Sequence, residues 1–252
     1  MTQLRILFGV LLALAALPEV AFGAQAARLS VQFEPNRPGA STTLAFDFAI
    51  DTPALLAPSP LVKVDLQMPT DLAYDTSTLG LASCSAASLA RRGAAGCPAE
   101  SRVGFGRVTV ALPLGPALLT EQAGMTTFVG RSEGGRTELL YYATGIKPVI
   151  AQFMLAGELL SEAAGERIET SIPLITTLPE ATNVSIIDFY STIGPRHLYY
   201  YRQARGKRIR YHPRGILLPA ICPHGGFHFS ASFSFQDGTS TTAHSTVPCL
   251  RP

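Results

Sequence analysis

The sequence predicts an all-β protein, an antiparallel β-sandwich of about ten to twelve short strands with one short helix held in a disulfide loop. Three observations point there. Apolar residues recur at every second position over much of the chain, Gly, Pro, Asn or Asp punctuates most of the gaps, and four cysteines follow an export-type N-terminus. Only 15% of residues are charged, against roughly 25% in an average domain, so Ser, Thr and Gln must supply most of the exposed polarity.

At the N-terminus, Arg5 precedes an apolar run from Ile6 to Leu17, which Pro18 breaks ahead of the small-residue triplets ending at Gly23 and Ala26. That is the pattern of a signal peptide over 1 to 26. Its apolar run of about twelve residues is shorter than the roughly twenty a membrane span needs, and no later segment supplies one. Residues 27 to 252 then form a single sandwich domain, or alternatively two small sandwiches divided near 113 to 124. The expected location is secreted or associated with the cell envelope.

Val31 and Phe33 begin the first strand, which the turn Pro35-Asn36-Arg37-Pro38-Gly39 ends. Leu44, Phe46, Phe48 and Ile50 alternate with Ala45, Asp47, Ala49 and Asp51, while Val62, Val64, Leu66 and Met68 alternate with Lys63, Asp65 and Gln67. Both read as half-buried strands. Further strands are expected over 102 to 112, 125 to 130, 136 to 143, 149 to 156, 166 to 174 and 182 to 192.

Between them lies the stretch from Cys84 to Cys97. Ser83 or Ser85 can cap a short helix that buries Leu89, with Arg91 and Arg92 suited to its C-terminal dipole and Gly93 ending it. Four oxidised cysteines allow three connectivities. Pairing Cys84 with Cys97 and Cys222 with Cys249 closes the shortest loops, worth about 3.0 and 3.6 kcal/mol on the chain-entropy model. A cross-pair would stabilise by about 5 kcal/mol but is harder to close. Local pairing is expected, with the first loop acting as a staple or presenting its two arginines for binding.

Near the C-terminus, Phe227, Phe229, Ala231, Phe233 and Phe235 alternate with His228, Ser230, Ser232 and Ser234. A three-residue loop at Gln236-Asp237-Gly238 then sets Ala231 opposite Ala243 and Phe227 opposite Val247, which keeps the apolar face apolar. The same register puts His228 and His244 on the outward face as diagonal neighbours about 7 to 8 Å apart. They are weak metal candidates, because a third ligand is missing, and no metal or other cofactor is expected.

The most unusual composition lies in 199 to 214, which carries six positive charges and no negative one. The whole chain is only +2, so everything outside that segment is net acidic, at about −4. Two strands, 198 to 203 and 207 to 211, are expected to turn at Arg205-Gly206. Tyr199, Tyr201 and Tyr211 interleave with Arg202, Arg205, Lys207, Arg208 and Arg210, a pattern suited to an anionic polymer such as an envelope polyphosphate or acidic glycan. A simple solvated hairpin is the plainer reading, and no specific nucleic acid is implied.

Motifs for nucleophile elbows, zinc hydrolases, phosphate loops and dinucleotide binding are absent from the sequence, and no catalytic residue is assigned. Asp47 and Asp51 share a strand face about 13 Å apart, too far for a glycosidase pair. A hydrolase whose carboxylates or Ser and His converge from distant strands remains the alternative to a non-enzymatic binding or structural protein.

The pattern Cys84, Leu89, Gly96-Cys97-Pro98, Ser101, Val103-Gly104, with the ending Cys222-Pro223, Gly225-Gly226-Phe227, Asp237-Gly238 and Val247-Pro248-Cys249, resembles exported proteins of high-GC Gram-positive bacteria that have no established activity. The resemblance implies a secreted, disulfide-stapled β fold and carries over no functional residue. Leu250 departs from it, where proline would be expected.

Overall fold

Alternation along the chain sorts side chains onto two faces, and the strands pair so that one face becomes a common interior. The computed structural model describes residues 25–51, 57–70, 72–74, 79–115, 117–148, 150–162, 165–177 and 182–250. The expected signal segment lies outside them as far as residue 24.

Among the described residues, the strands in chain order are β1 (Ala26–Glu34), β2 (Ser41–Asp51), β3 (Leu61–Gln67) and the two-residue β4 (Ala73–Tyr74). Helix α1 (Ala86–Arg92) follows, then β5 (Arg102–Leu114), β6 (Ala117–Glu133), β7 (Arg136–Gly145), β8 (Ala151–Glu162), β9 (Gly165–Ser171) and β10 (Ser185–Ile193). The last third holds β11 (Tyr200–Ala204), β12 (Lys207–Tyr211), the two-residue β13 (Ile216–Leu217), β14 (Phe227–Phe235) and β15 (Ser240–Val247).

Thirteen strands join one antiparallel sheet in the order β15-β14-β3-β9-β8-β7-β6-β5-β10-β2-β13-β4, with β1 also paired to β2. The sheet folds over until β1 runs beside β15. Its two halves therefore face each other as in a sandwich, yet one hydrogen-bonded path links them. Near 113 to 124 the ends of β5 and β6 pair with each other, Pro113 opposite Leu118 and Leu112 opposite Leu119.

Rings meet in the interior both across the two halves and between neighbouring strands. Phe33 of β1 lies edge-on to Phe227 of β14 at 5.1 Å, Phe48 of β2 meets Phe233 of β14 at 5.0 Å, and Phe189 of β10 stacks on Phe48 at 5.2 Å. Such pairs add about 0.5–1.5 kcal/mol each beyond the area they bury. The β14–β15 register is the expected one, with Ala231 opposite Ala243 and Phe227 opposite Val247. Gly238 closes the loop with φ 82°, and the Asp237 carboxylate accepts from the backbone N–H and hydroxyl of Thr239.

The β3 pattern differs at its start. A register shift places Phe235 opposite Leu61 and Ser234 opposite Lys63, so Val62 is an extra residue and Leu61 takes the buried position. A bulge of this kind reverses the alternation locally. The outer face of β3 and β9 is also less neutral than composition suggests: Lys63, Asp65, Arg167 and Glu169 form a connected set of ion pairs.

Both disulfides pair locally, Cys84 with Cys97 and Cys222 with Cys249. Ser85 caps α1 by accepting from the Ser88 N–H, and Gly93 follows its last turn with φ 62°. Leu89 is fully buried with Phe128, Leu140, Tyr142 and Cys84. The loop thus covers an apolar patch on the outer face of β6 and β7, which explains why a disulfide holds it there. No helix among the described residues is long and apolar enough to cross a membrane.

Within the interior, Tyr141 is buried and its hydroxyl has no hydrogen-bond partner. Burial pushes its pKa well up. An unpartnered buried hydroxyl costs about 1–3 kcal/mol, so Tyr141→Phe is expected to raise stability by about 1 kcal/mol, read as a higher midpoint in urea unfolding.

Candidate functional site

The basic segment 199 to 214 folds as a separate two-stranded sheet of β11 and β12, with Tyr200 opposite Tyr211 and Ala204 opposite Lys207. Arg205 and Gly206 take φ 51° and 71°, the positive values that a two-residue type I′ hairpin requires. Glycine adopts this conformation without strain, whereas arginine reaches it at some cost.

Tyr200 anchors the hairpin to the body. Its side chain is fully buried, its hydroxyl donates to the Arg102 carbonyl at 2.6 Å, and it accepts from the Gly80 N–H at 3.0 Å. Burial pushes its pKa up to about 12. From that root the strands project with Tyr199, Tyr201, Arg202, Arg208, Ile209 and Arg210 exposed.

Strand pairing lines up cations and rings on the same face. The Arg210 guanidinium lies 3.2 Å from the Tyr199 ring centre, Arg208 lies 4.0 Å from Tyr201, and the Tyr199 and His212 rings are 4.2 Å apart. On the other face Arg202 lies 5.8 Å from Tyr211. Arg208 with Tyr201 and Arg202 with Tyr211 are diagonal neighbours across the hairpin, as cross-strand geometry requires, and Tyr199 and His212 continue the pattern past its paired residues. Exposed cation–π pairs are worth about 0.5–1 kcal/mol each. They hold the guanidinium groups in place while leaving N–H donors for oxyanions.

Arg202, Arg205, Lys207, Arg208, Arg210 and Arg214 form no ion pair with a carboxylate among the described residues. Elsewhere on the surface, by contrast, Arg28, Arg136, Arg167 and Arg196 are all paired with acids. The structure therefore brings all eight residues singled out in the sequence onto one hairpin.

The histidine candidates sit as the register predicts. His228 faces Thr246 and bonds its hydroxyl at 3.1 Å, while His244 faces Ser230. Among the described residues no group of three His, Cys, Asp or Glu side chains is placed to hold a metal.

A groove runs along the seam where β1 meets β15. Its lining includes Arg28, Ser30, Asp47, Asp188 and His244. Asp51 accepts from Nε and Nη2 of Arg28; the carboxylate that lines the groove with Asp47 is Asp188 on β10, 4.0 Å from Arg107 Nε, which periodicity along β2 alone cannot indicate. Burial, then the charge of Asp188, raises the Asp47 pKa. Ionised Asp47 is therefore penalised in the folded state as pH rises through its raised pKa, and the penalty is absent below the ordinary 3.8. Asp47→Asn is expected to raise the thermal midpoint at pH 7, and the gain should vanish in scans below pH 3.8.

Comparison with known protein families, curated proteins and solved structures finds no match for this chain.

Proposed function

We propose that the protein is a secreted or envelope-associated, non-enzymatic binding protein that contacts anionic polymers through the β11–β12 hairpin. One observation carries this reading: an exposed ladder of arginines held over tyrosine rings, with no ion pair to a carboxylate among the described residues. Guanidinium groups in such a ladder offer paired N–H donors to phosphate or carboxylate oxygens. The rest of the chain is net acidic, so positive charge is concentrated on this one projection. Two disulfides suit an oxidising compartment, which agrees with the export pattern at the N-terminus.

Adsorption to polyphosphate-coated beads at low salt tests the reading, with polylysine beads as the control. Retention on polyphosphate alone is expected. Equal retention on both surfaces, or on neither, would overturn it.

A second reading is a hydrolase centred on the seam groove, favoured by the raised pKa of Asp47 beside Asp188. A carboxyl with a raised pKa beside a second carboxylate suits acid–base chemistry. Turnover of chromogenic glycosides or esters that disappears in both Asp47→Asn and Asp188→Asn would support it, and its absence in the wild-type protein removes it.

A further inference from the structure

Another feature, apart from the hairpin, lies at one end of the folded sheet. A cavity of about 300 Å³ opens there, and its walls include Val110, Leu112, Phe153, Ile172 and Ile186. That volume is at the small end of the range for ligand pockets. Glu121 also lines it. This side chain is only 3% exposed, and its Oε1 has no hydrogen-bond partner.

The neighbouring backbone is shaped around that carboxylate. A Cβ on Gly145 would stand 1.8 Å from Glu121 Oε1, so glycine there leaves the space the carboxylate occupies. Gly145 pairs with Ala151 across the β7–β8 turn, and Ala151 lines the same cavity. Around this end the surface is unusually apolar: Leu118, Ile146, Ile150, Leu174 and Ile175 are all exposed. Lys147, on the turn itself, pairs with no carboxylate among the described residues.

A buried acid without a partner, at an apolar cavity with an apolar rim, is complementary to one kind of molecule. We infer that this cavity binds a small amphiphilic amine, with its protonated nitrogen on Glu121 and its hydrocarbon body along Val110, Leu112, Phe153 and Ile172. A fatty acid would set two carboxylates together, and a neutral alcohol would satisfy the oxygen with a weaker bond. The preference order is therefore amine, then alcohol, then acid.

Calorimetric titration with octylamine, octan-1-ol and octanoate, each below its aggregation concentration, tests this. The wild-type protein should bind one octylamine saturably, octan-1-ol about tenfold more weakly, and octanoate not at all. Glu121→Gln should weaken octylamine at least about tenfold and leave octan-1-ol unchanged. Ala151→Leu, which fills part of the cavity, should weaken both. Failure of octylamine to bind, equal affinity for amine and alcohol, preference for octanoate, or full octylamine affinity in Glu121→Gln would each overturn the inference. Should either variant fail the near-UV dichroism check for folding, the wild-type preference order alone decides.

Discussion

Changing Arg202, Arg205, Lys207, Arg208 and Arg210 to Gln is expected to remove polyphosphate binding almost entirely while leaving the fold intact. These five cations stand on an exposed hairpin and form no ion pair with an acid among the described residues, so their loss breaks no salt bridge. Only exposed cation–π contacts disappear, and these are worth about 0.5–1 kcal/mol each. Binding depends far more strongly on them. If about five phosphates are neutralised, counterion release should weaken wild-type binding roughly 100- to 500-fold between 50 and 200 mM salt. The five-Gln variant should bind more than about 100-fold more weakly at the lower concentration and show little salt dependence. Fluorescence anisotropy with a labelled polyphosphate chain measures both quantities, and an unchanged near-UV dichroism spectrum confirms that the body is undisturbed.

Gly104→Ala is expected to have the largest effect on stability, above about 4 kcal/mol or complete failure to fold. A Cβ there would lie 1.6 Å from the Thr192 carbonyl oxygen and 2.7 Å from its carbon, both backbone atoms of β10. No side chain can move aside to relieve that contact. The strands are held together at this point, since Thr192 Oγ1 accepts from the Phe105 N–H and donates to the Phe105 carbonyl. Separating them would break those bonds and open the interior around Val103, which is fully buried. Gly124→Ala is the control: nothing lies within 4 Å of its Cβ position, and it too belongs to a strand. It should change stability by no more than about 0.5 kcal/mol. Urea unfolding of the two variants, with soluble yield as the fallback for Gly104→Ala, separates the cases.

Local features of this fold were legible in the sequence wherever one periodicity or one turn fixed the outcome. The phenylalanine alternation from Phe227 to Phe235 could satisfy only one register against Ala243 and Val247. Arg205-Gly206 between two short strands marked a tight turn, and the short spacings within each cysteine pair favoured local bridges. What joined the halves was not legible. The pairing of β3 with both β9 and β14 links residues far apart in sequence, and alternation names a buried face without naming the neighbour. The Val62 bulge also escaped the pattern, because an added residue in one strand shows only against its partner.

The candidate sites divide along the same line. Every residue of the basic hairpin was visible because charge and aromatic residues lie together in one segment. Asp188 was missed because its relation to Asp47 arises across β2 and β10. Glu121 was missed although a signal existed: it occupies the inward position in the series Glu121, Ala123, Met125, where an acid is out of place. An acid in register with buried apolar residues points to a partner or a ligand, and that signal required knowing which face of β6 turns inward.

Anion binding by the hairpin is decided by co-sedimentation of the oxidised chain, residues 27 to 252, with purified cell envelopes across a salt series, beside the five-Gln variant. Wild-type protein should pellet at low salt and be released steeply as salt rises, while the variant stays in the supernatant throughout. Equal pelleting of the two proteins, or wild-type binding that ignores salt, would contradict an anion-binding role for the hairpin.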